Sequence, residues 1–486
     1  MTEPALGPHL ADMQAILGSG FARLRHGDYL LLRITRRDQA RQWLARLLDG
    51  KALRSVADLG NGDWSSVATL AFSFRGLRRL GIHASARAPF PTPFRAGMTS
   101  PARRVLLRDG PTDSWDWGDT RWPGRRDRRV DVLLIHHRST AQLAADDLLD
   151  PALIEASGFR IVERIGMCPA YAERTVDGQR VAAGEPFGFA DGIAQPVLAG
   201  MPMSRAQRQA KAKAGAMFAD RVIAAGEFIL GHDNEYGEPA HCPSVDGWSG
   251  SAGFGMNGSY LAVRQIYQDT TAFRAFERQH ASPAGAAPLA EKMIGRHKDG
   301  RPLLTQPRAP QEEDAFRYRL DDLEGLQCPR GAHVRRANPR DSLGWDIQSG
   351  LRIARLHRLL RRGRTYARRD RPCAGDAQPP CDDLSYRDRC GEGLFFMALN
   401  ADLDRQFEFV QQRWIGNRGF ANLADEDDPA VGVAGDRAFS TPAMPIGRRL
   451  EGFGQFTRTV GGGYFFLPGL RALRFIAGLA TQPRQG

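Results

Sequence analysis

The sequence predicts an α+β fold built from two similar halves. The chain has 486 residues, which is longer than one typical domain and indicates two domains or one large duplicated unit. Strand-like and helix-like stretches of the first half follow the order β-α-β-β-α-β, which is the ferredoxin-like arrangement. The second half repeats this alternation. We place the boundary near residue 210, in a stretch rich in lysine, alanine and arginine, so that the halves are 1–210 and 211–486.

Each element of the first half has a local signal. Helix 37–48 is predicted because Ala40, Trp43, Leu44 and Leu47 recur at helical spacing. Runs of apolar and β-branched residues predict strands. These strands are 29–34, 67–74, 130–135 and 159–165. The remaining predictions are a short helix at 76–80, a proline-rich loop at 88–99, and a helix capped by Ser139 or Thr140.

The second half shows the same kinds of signal with longer connections. Strands are predicted at 259–266, 394–399 and 464–467, and helices at 271–280, 401–414 and 470–479. In helix 401–414 the residues Leu403, Phe407, Val410 and Trp414 share one apolar face. The stretches 342–354 and 368–392 carry no such signal, and we expect them to be inserted surface loops.

Composition excludes several classes of protein. A hydrophobic content of 42% and a charged content of 25% are ordinary for a globular protein. The net charge of +12 invites a nucleic-acid hypothesis. However, acidic residues are interspersed along the chain and no nucleic-acid module is visible, so a bias towards arginine explains the charge better. No run of 18 apolar residues exists, so no membrane span is expected.

The start of the chain and its cysteines predict the compartment. The first residues, Met-Thr-Glu-Pro-Ala-Leu-Gly, show neither a basic segment followed by an apolar one nor a twin-arginine motif, so we expect a cytoplasmic location. The six cysteines form no CxxC pair. Cys373, Cys381 and Cys390 are therefore expected to be free thiols in the second inserted loop.

His333 lies in a segment, 328–341, whose composition core packing does not explain. It follows a Gly-Ala pair and precedes three arginines and an Asn-Pro. Haem iron takes one neutral imidazole on its proximal side, and haem propionates favour nearby cations. On spacing alone, a surface histidine in an arginine-rich loop is the more frequent outcome.

A second segment, 184–196, changes that balance because it contains Gly188-Phe-Ala-Asp-Gly192. The two segments together resemble the dye-decolorizing peroxidase family. That family carries a distal aspartate in a GxxDG motif and a proximal histidine in a GAH[IV]R context. Further matching stretches are 226–231 with 234–237, 257–260, 360–363, 393–396 with 406–411, and 461–468. The resemblance therefore extends from about Leu30 to the end of the chain.

The resemblance implies a fold and a cofactor. The fold is two ferredoxin-like halves that form a dimeric α+β barrel-type architecture, with haem in the C-terminal half. The N-terminal half, 1–210, ends with the GxxDG motif, and the C-terminal half, 211–486, carries the proximal histidine and the distal arginine. One haem b per chain is expected. The expected substrates are H₂O₂ and small aromatic electron donors such as dyes and phenolics, no nucleic-acid partner is expected, and a homo-oligomer is allowed.

The resemblance also implies residue roles. His333 is the expected iron ligand, and Asp191 the distal acid-base residue. Arg361 is the expected electrostatic stabiliser, because the family's distal arginine precedes a Gly or Asn by two residues, although Ala367 departs from the family's usual glycine. The expected haem contacts are Gly192, Ile193, Ala194, His333, Asn338, Pro339, Arg340 and Arg361, with Arg340 on a propionate.

Alternatives remain at the level of the sequence. Haem-dependent chlorite decomposition needs no distal carboxylate, so the GxxDG motif argues against it. A haem carrier, an enzyme that releases iron from haem and an arginine-rich nucleic-acid binder stay open. A metal site at His232 and His241 is a minor alternative, and His136-His137 is interpreted as a buried or partner-facing pair. Trp345, Tyr366 and Tyr386 are candidates for passing an oxidising equivalent to bulky dyes, although simple packing is the more frequent role.

Overall fold

The computed structural model describes residues 6–50, 52–60, 64–110, 112, 115–118, 127–140, 149–168, 174–176, 179–181, 184–280, 287–304, 314–368, 391–432 and 437–478. Strands are numbered along the chain. The first half contains β1 (His26–Ile34), β2 (Ser66–Phe72), β3 (Val132–Arg138), β4 (Phe159–Met167), β5 (Arg174–Val176), β6 (Gln179–Val181) and β7 (Val197–Leu198). The second half contains β8 (Val222–Ile223), β9 (Ser259–Gln268), β10 (Leu360–Arg361), β11 (Arg364–Arg368), β12 (Glu392–Asn400), β13 (Ala438–Thr441), β14 (Arg448–Glu451) and β15 (Thr457–Leu467).

A nine-stranded antiparallel sheet joins the two halves. In the first half the strand order is β4-β1-β3-β2, which is ferredoxin-like. In the second half it is β11-β12-β9-β15. The halves meet where Tyr366 pairs with Met167 and where Phe466 pairs with Phe72. Since β12 also pairs with β9, eight strands form a closed ring, and the predicted α+β class with a barrel-type sheet is confirmed.

The period-two alternation of the strands separates two cores. Tyr29 and Leu31 of β1 belong to a cluster that also contains Phe395 of β12 and Trp117, which lies outside the strands and forms an isolated bridge to Gly461. Leu30 and Leu32 point to the other face and belong to a second cluster that includes side chains of the outer helices. The sheet is therefore covered on both faces, as the near-continuous apolar runs of its strands require.

Most helices lie between strands in the order of elements along the chain. They are α1 (Arg37–Asp49), α2 (Phe74–Arg79), α3 (Thr92–Ala96), α4 (Pro101–Leu107), α5 (Pro151–Ala156), α6 (Arg205–Ala214), α7 (Thr270–Gln279), α8 (Leu289–Ile294), α9 (Tyr318–Asp321), α10 (His333–Ala337), α11 (Ile347–Leu356) and α12 (Leu470–Ile476). The predicted helix at 401–414 is present as two π-helical segments, Asp404–Glu408 and Val410–Ile415. The boundary proposed near residue 210 falls inside α6, and the division into two domains stays a prediction.

Two loop predictions are wrong in part. Within 342–354, helix α11 begins after Asp346, whose side chain accepts a hydrogen bond from the Ser349 backbone in a capping box. A polar residue of this kind can mark the start of a helix as well as a loop. The prediction of a surface loop overlooked this helix start. The proline-rich stretch 88–99 contains α3, which has a proline in its first turn. The helix predicted after Thr140, and most of 368–392 with its three cysteines, lie outside the described residues.

Candidate functional site

The Asp191 side chain lies in a tight loop shaped by its glycines. Gly188 and Gly192 have φ values of +98° and +79°, a region that L-residues with side chains rarely adopt. The Asp191 Oδ1 atom accepts a hydrogen bond from the Gly192 backbone at 2.6 Å. About a third of the side chain, 31%, is exposed. The glycine spacing therefore presents one carboxylate at a partly open position.

The Glu185 carboxylate stabilises this loop by accepting hydrogen bonds. They come from the backbone N–H groups of Phe189 at 2.7 Å and Phe187 at 3.0 Å, and from the Gln268 side chain at 2.6 Å. Burial raises the pKa of Glu185 to about 7, against the lowering effect of these donors. Glu185 was not predicted as a site residue, yet it fixes the backbone that carries Asp191.

Glu185→Gln should remove a pH dependence of stability. With a pKa of about 7 instead of 4.5, the folded chain retains a proton that the unfolded chain has already released. The contribution of Glu185 to the free energy of unfolding is therefore greatest at acid pH and falls as the pH rises through that window. Urea unfolding of both proteins from acid to neutral pH measures the difference, in which other titrating groups cancel. Parallel curves would show that Glu185 does not titrate in this range.

Arg361 meets Asp191 across a long sequence separation. Its Nη1 atom donates to Asp191 Oδ1 at 3.1 Å, and its Nη2 atom donates to the Ile193 carbonyl oxygen at 2.8 Å. The neighbouring Arg362 points elsewhere and donates to the carbonyl oxygens of Ile16 and Leu17. Successive side chains of a strand point to opposite faces, and Arg361 ends β10, so the two arginines diverge.

His333 is the first residue of α10 and is paired with a buried carboxylate. Its Nδ1 atom lies 2.9 Å from Asp428 Oδ2, and Asp428 is fully buried while the His333 side chain is 29% exposed. Burial lowers the pKa of His333, but the Asp428 carboxylate outweighs it and leaves the pKa above its ordinary value. Among the described residues the Nε2 atom has no hydrogen-bond partner. A histidine held at Nδ1 with Nε2 free is the usual arrangement of a metal-ligating imidazole.

Two of the arginines that follow His333 are buried structural residues. Arg335 donates to the carbonyl oxygens of Cys328 and Asp322. Arg336 donates to the carbonyl oxygens of Gly331, Asn417 and Glu426. These bonds fix the short helix α10 on its neighbours. The arginine-rich composition of the segment therefore serves mainly to anchor His333.

Arg340, which was predicted to bind a propionate, is occupied by protein groups. Its guanidinium contacts the Asp314 carboxylate and the Phe316 carbonyl oxygen, and it lies 3.8 Å from the centre of the Phe316 ring. Asp314 is shared with Arg296 and Arg221. Arg340 is therefore a member of a buried ion cluster, and its predicted role remains untested.

Arg358 links the segment that carries Asp191 to the segment that carries His333. Its Nη1 atom donates to the Asn338 side chain at 3.2 Å, and its Nη2 atom donates to the Ala194 carbonyl oxygen at 2.7 Å. Burial lowers the pKa of Arg358 to about 10. Among the described residues no carboxylate lies within 4.0 Å of its guanidinium, although Arg358 lines a small cavity with Arg340 and Arg355. A partly buried cation of this kind is a suitable partner for an added carboxylate.

The structure brings most of the predicted residues into one region. Asp191, Gly192, Ile193 and Ala194 are linked to Arg361 directly or through backbone atoms, and Ala194 is linked to Asn338 through Arg358. Pro339 contributes its carbonyl oxygen to Ser342. Arg361 also lies near enough to His333 to lower its pKa. The roles assigned to these residues stay predictions.

Three further residues were missed by the sequence reasoning: Glu185, Arg358 and Asp428. Glu185 lies in the segment 184–196, which also contains Asp191. Its closeness to Asp191 in the sequence could have indicated that it belongs to the site. Asp428 ends the run Asp425-Glu-Asp-Asp428, which has the appearance of a solvated charge run. Because it is 95 residues from His333, no local pattern connects the two.

The sequence predictions for the other histidines and for the surface aromatic residues have different outcomes. Among the described residues no cluster of three or more His, Cys, Asp or Glu side chains could hold a metal ion, and His232 instead contacts Asn257. His136 and His137 are buried at 1% exposure. Tyr366 is buried in β11 and is therefore not a surface aromatic, whereas Trp345 is 83% exposed. Tyr386 lies outside the described residues. No described helix is long and apolar enough to cross a membrane.

Similarity in sequence points to one group of proteins. The chain is 26% identical over 437 residues to a protein from Mycetinis scorodonius named dye-decolorizing peroxidase msp1, and the match covers 85% of this chain and 76% of that protein. It is 34% identical over 237 residues to multifunctional dye peroxidase DyP2 of Amycolatopsis sp., covering 45% of this chain and 48% of that protein. No protein-family model matches the chain.

Similarity in structure extends over nearly the whole chain. The DyP-type peroxidase of Anabaena sp. superimposes with a TM-score of 0.72 at 21% identity, covering 97% of this chain and 95% of the other. The AauDyP complex with imidazole superimposes with a TM-score of 0.72 at 22% identity, covering 96% and 99%. These structural matches establish the shared fold.

Proposed function

Because the chain is a homologue of dye-decolorizing peroxidases and has their fold, we propose that it is a haem peroxidase. It uses H₂O₂ to oxidise small aromatic donors, such as dyes and phenolics, in one-electron steps. The observation that carries this proposal is the Asp191–Arg361 ion pair at 3.1 Å, beside a histidine held by Asp428 with its second ring nitrogen free. An acid-base group, a fixed cation and an iron ligand are the residues that peroxide chemistry on haem requires.

The donor set fits haem b. His333 offers Nε2 as the iron ligand, and Asp428 fixes the opposite nitrogen. Arg358 is the partly buried cation best suited to a haem carboxylate, because no carboxylate of a described residue lies within 4.0 Å of its guanidinium. Arg340 is a weaker candidate, since Asp314 already neutralises it. Bound haem would supply the redox-active iron for the reaction with peroxide.

Asp191 moves the proton in this mechanism. Its Oδ1 atom is engaged by Gly192 and Arg361, whereas Oδ2 makes no hydrogen bond to a described residue. Oδ2 is therefore free to take a proton from one oxygen of H₂O₂ and to return it to the other, which leaves as water when the O–O bond breaks; the two electrons for this cleavage would come from bound haem. Such general acid-base catalysis is worth about 10²–10⁴-fold. The Arg361 guanidinium stabilises the negative charge that develops on the departing oxygen.

An absorption spectrum of the purified protein, before and after one equivalent of H₂O₂, tests the proposal. A haem absorption band that shifts on addition of peroxide, and returns when an aromatic donor is added, is the expected result. A haem carrier would show the band without peroxide turnover. An enzyme that releases iron would produce the spectrum of metal-free porphyrin, and a nucleic-acid binder would show no haem band and a steep salt dependence of DNA binding.

Arg361→Leu should slow the reaction with peroxide by about 10²–10³-fold, as expected for loss of one preorganised donor. The matched control is Arg362→Leu, which removes the same group one residue later. The Arg362 side chain donates to the carbonyl oxygens of Ile16, Leu17 and Arg361 and does not contact Asp191, so its loss should lower thermal stability and leave most of the reaction rate intact. Stopped-flow absorbance measures the rate, and equal rate losses in both variants would mean that Arg361 has no special role.

A further inference from the structure

Tyr318 and Cys328 form a buried pair close to the segment that carries His333. The Tyr318 hydroxyl and the Cys328 Sγ atom lie 3.7 Å apart in a hydrogen-bonding geometry. Each residue is 1% exposed. Tyr318 is the first residue of α9, and Cys328 precedes His333 by five positions. The mechanism proposed above gives neither side chain a role.

The pair is held in its neutral form. Burial raises the pKa of the Cys328 thiol and the pKa of the Tyr318 phenol. Alkylation and disulfide exchange need an accessible thiolate, so the buried thiol is protected from both. Loss of electrons does not require access to solvent, and it is the reaction that remains open to a phenol and a thiol in contact.

One arginine and one carboxylate anchor this pair. The Arg335 guanidinium lies 4.2 Å from the centre of the Tyr318 ring and donates to the Cys328 carbonyl oxygen at 2.7 Å. Asp322 Oδ2 accepts a hydrogen bond from the Cys328 backbone N–H at 2.8 Å and lies 3.3 Å from Arg335 Nη1. Asp322 therefore offsets the charge of Arg335 and is a carboxylate at hand to receive a proton from the pair.

The sulfur has room to move because a glycine borders it. Gly295 has a φ of +98°, and a Cβ atom added there would lie 3.3 Å from Cys328 Sγ. A side chain at this position would confine the sulfur. With glycine there, rotation of the Cys328 side chain can bring Sγ towards the ring carbon beside the hydroxyl-bearing carbon of Tyr318.

We propose that Tyr318 and Cys328 become joined by a thioether bond when the protein reacts with peroxide. Sγ bonds to the ring carbon ortho to the Tyr318 hydroxyl. The S–H bond and one ring C–H bond break, the C–S bond forms, and two protons and two electrons are released. One H₂O₂ accepts them and becomes two molecules of water, and the phenol keeps its hydroxyl group.

This inference rests on the proposed function, because bound haem must pass the two electrons to H₂O₂. The bond closes the loop 318–328, to which Arg335 of α10 is hydrogen-bonded. A cross-link of this kind restricts the chain in its unfolded state and so stabilises the fold around it. The modification would therefore reinforce the support of α10, which begins at His333.

Peptide mass spectrometry of the haem-loaded protein, before and after titration with H₂O₂ without an added donor, tests the proposal. Trypsin should separate the chain after Arg317, Arg319 and Arg330. After peroxide, peptides 318–319 and 320–330 should appear joined, with the sum of their masses less two hydrogen atoms. The joined product should survive a thiol reducing agent, which would cleave a disulfide.

Three variants locate the bond. Cys328→Ser and Tyr318→Phe should each give at least tenfold less joined product while the haem band still responds to peroxide. Cys242→Ser removes another partly buried thiol, and it should form the joined product as the wild type does. Equal yields of joined product in Cys328→Ser or Tyr318→Phe would overturn the proposal.

The absorption spectrum of the same sample separates this proposal from the proposed function. A haem band that responds to peroxide, together with unlinked peptides alone, would overturn the thioether and leave the peroxidase assignment intact. A haem band that does not respond, with no joined product, would overturn both. His333→Ala, which should lose haem, should form no joined product with H₂O₂, and its formation there would show that haem does not carry the electrons.

Discussion

His333→Ala should yield a folded protein that has lost its haem or binds it weakly. Alanine removes an imidazole whose Nδ1 is held by the fully buried Asp428 carboxylate and whose Nε2 is free of described partners. Asp428 keeps hydrogen bonds from the Ala430 and Val431 backbone, so the loop that carries it should persist. The ratio of the haem band to the protein band in the absorption spectrum, and a titration with free haem, measure occupancy and affinity.

His357→Ala is the matched control for this prediction. His357 is also partly buried, but its Nδ1 contacts the Arg405 carbonyl oxygen and its ring stacks on Phe409 with centroids 3.7 Å apart. It is therefore a packed residue, and its loss should reduce stability while haem occupancy stays close to that of the wild type. Full occupancy with an unchanged spectrum in His333→Ala, together with haem loss in His357→Ala, would transfer the ligand role to His357.

The sequence predicted the fold where local pattern and long-range packing agree. The strands β1, β2 and β3 contain continuous apolar runs because both faces of the sheet are covered, and such runs are visible without any knowledge of partners. Helix α11 was missed because its start depends on one capping residue, Asp346, inside a polar stretch. The closure of the ring depends on the pairing of β12 with β9, and no local pattern specifies it.

The candidate site shows the same division. Asp191 and His333 stand in motifs whose residues are adjacent in sequence, so they could be predicted. Asp428 could not, because its partner is distant and its run of acidic residues has the composition of a solvated surface. Arg340 was predicted to bind a propionate because it is a cation near a motif; its ion pair with Asp314 could not be read from the sequence, and its predicted role stays a prediction. Burial and long-range ion pairing determine the partners of Asp428 and Arg340, and neither can be inferred from the composition of the sequence.

Asp191→Asn should leave haem binding intact and slow the reaction with peroxide by about 10²-fold or more. Asparagine keeps the size of the side chain and can still accept the hydrogen bonds of Gly192 and Arg361 through its amide oxygen. What it loses is the second carboxylate oxygen, which in the wild type has no described partner and is free to take the proton. The loop geometry set by Glu185 should therefore survive while the proton acceptor is lost.

The pH dependence of the same variant separates proton transfer from electrostatics. A carboxylate can accept and return a proton whereas an amide cannot, so the part of the wild-type pH profile that comes from Asp191 should be absent from the profile of the variant. Stopped-flow absorbance after mixing with H₂O₂, across acid to neutral pH, measures both the rate and its profile. Glu185→Gln provides the reference for pH effects that act through the loop instead of through Asp191. If Asp191→Asn reacts at the wild-type rate with the wild-type profile, Arg361 alone assists the cleavage of peroxide, and Asp191 serves only to shape the turn.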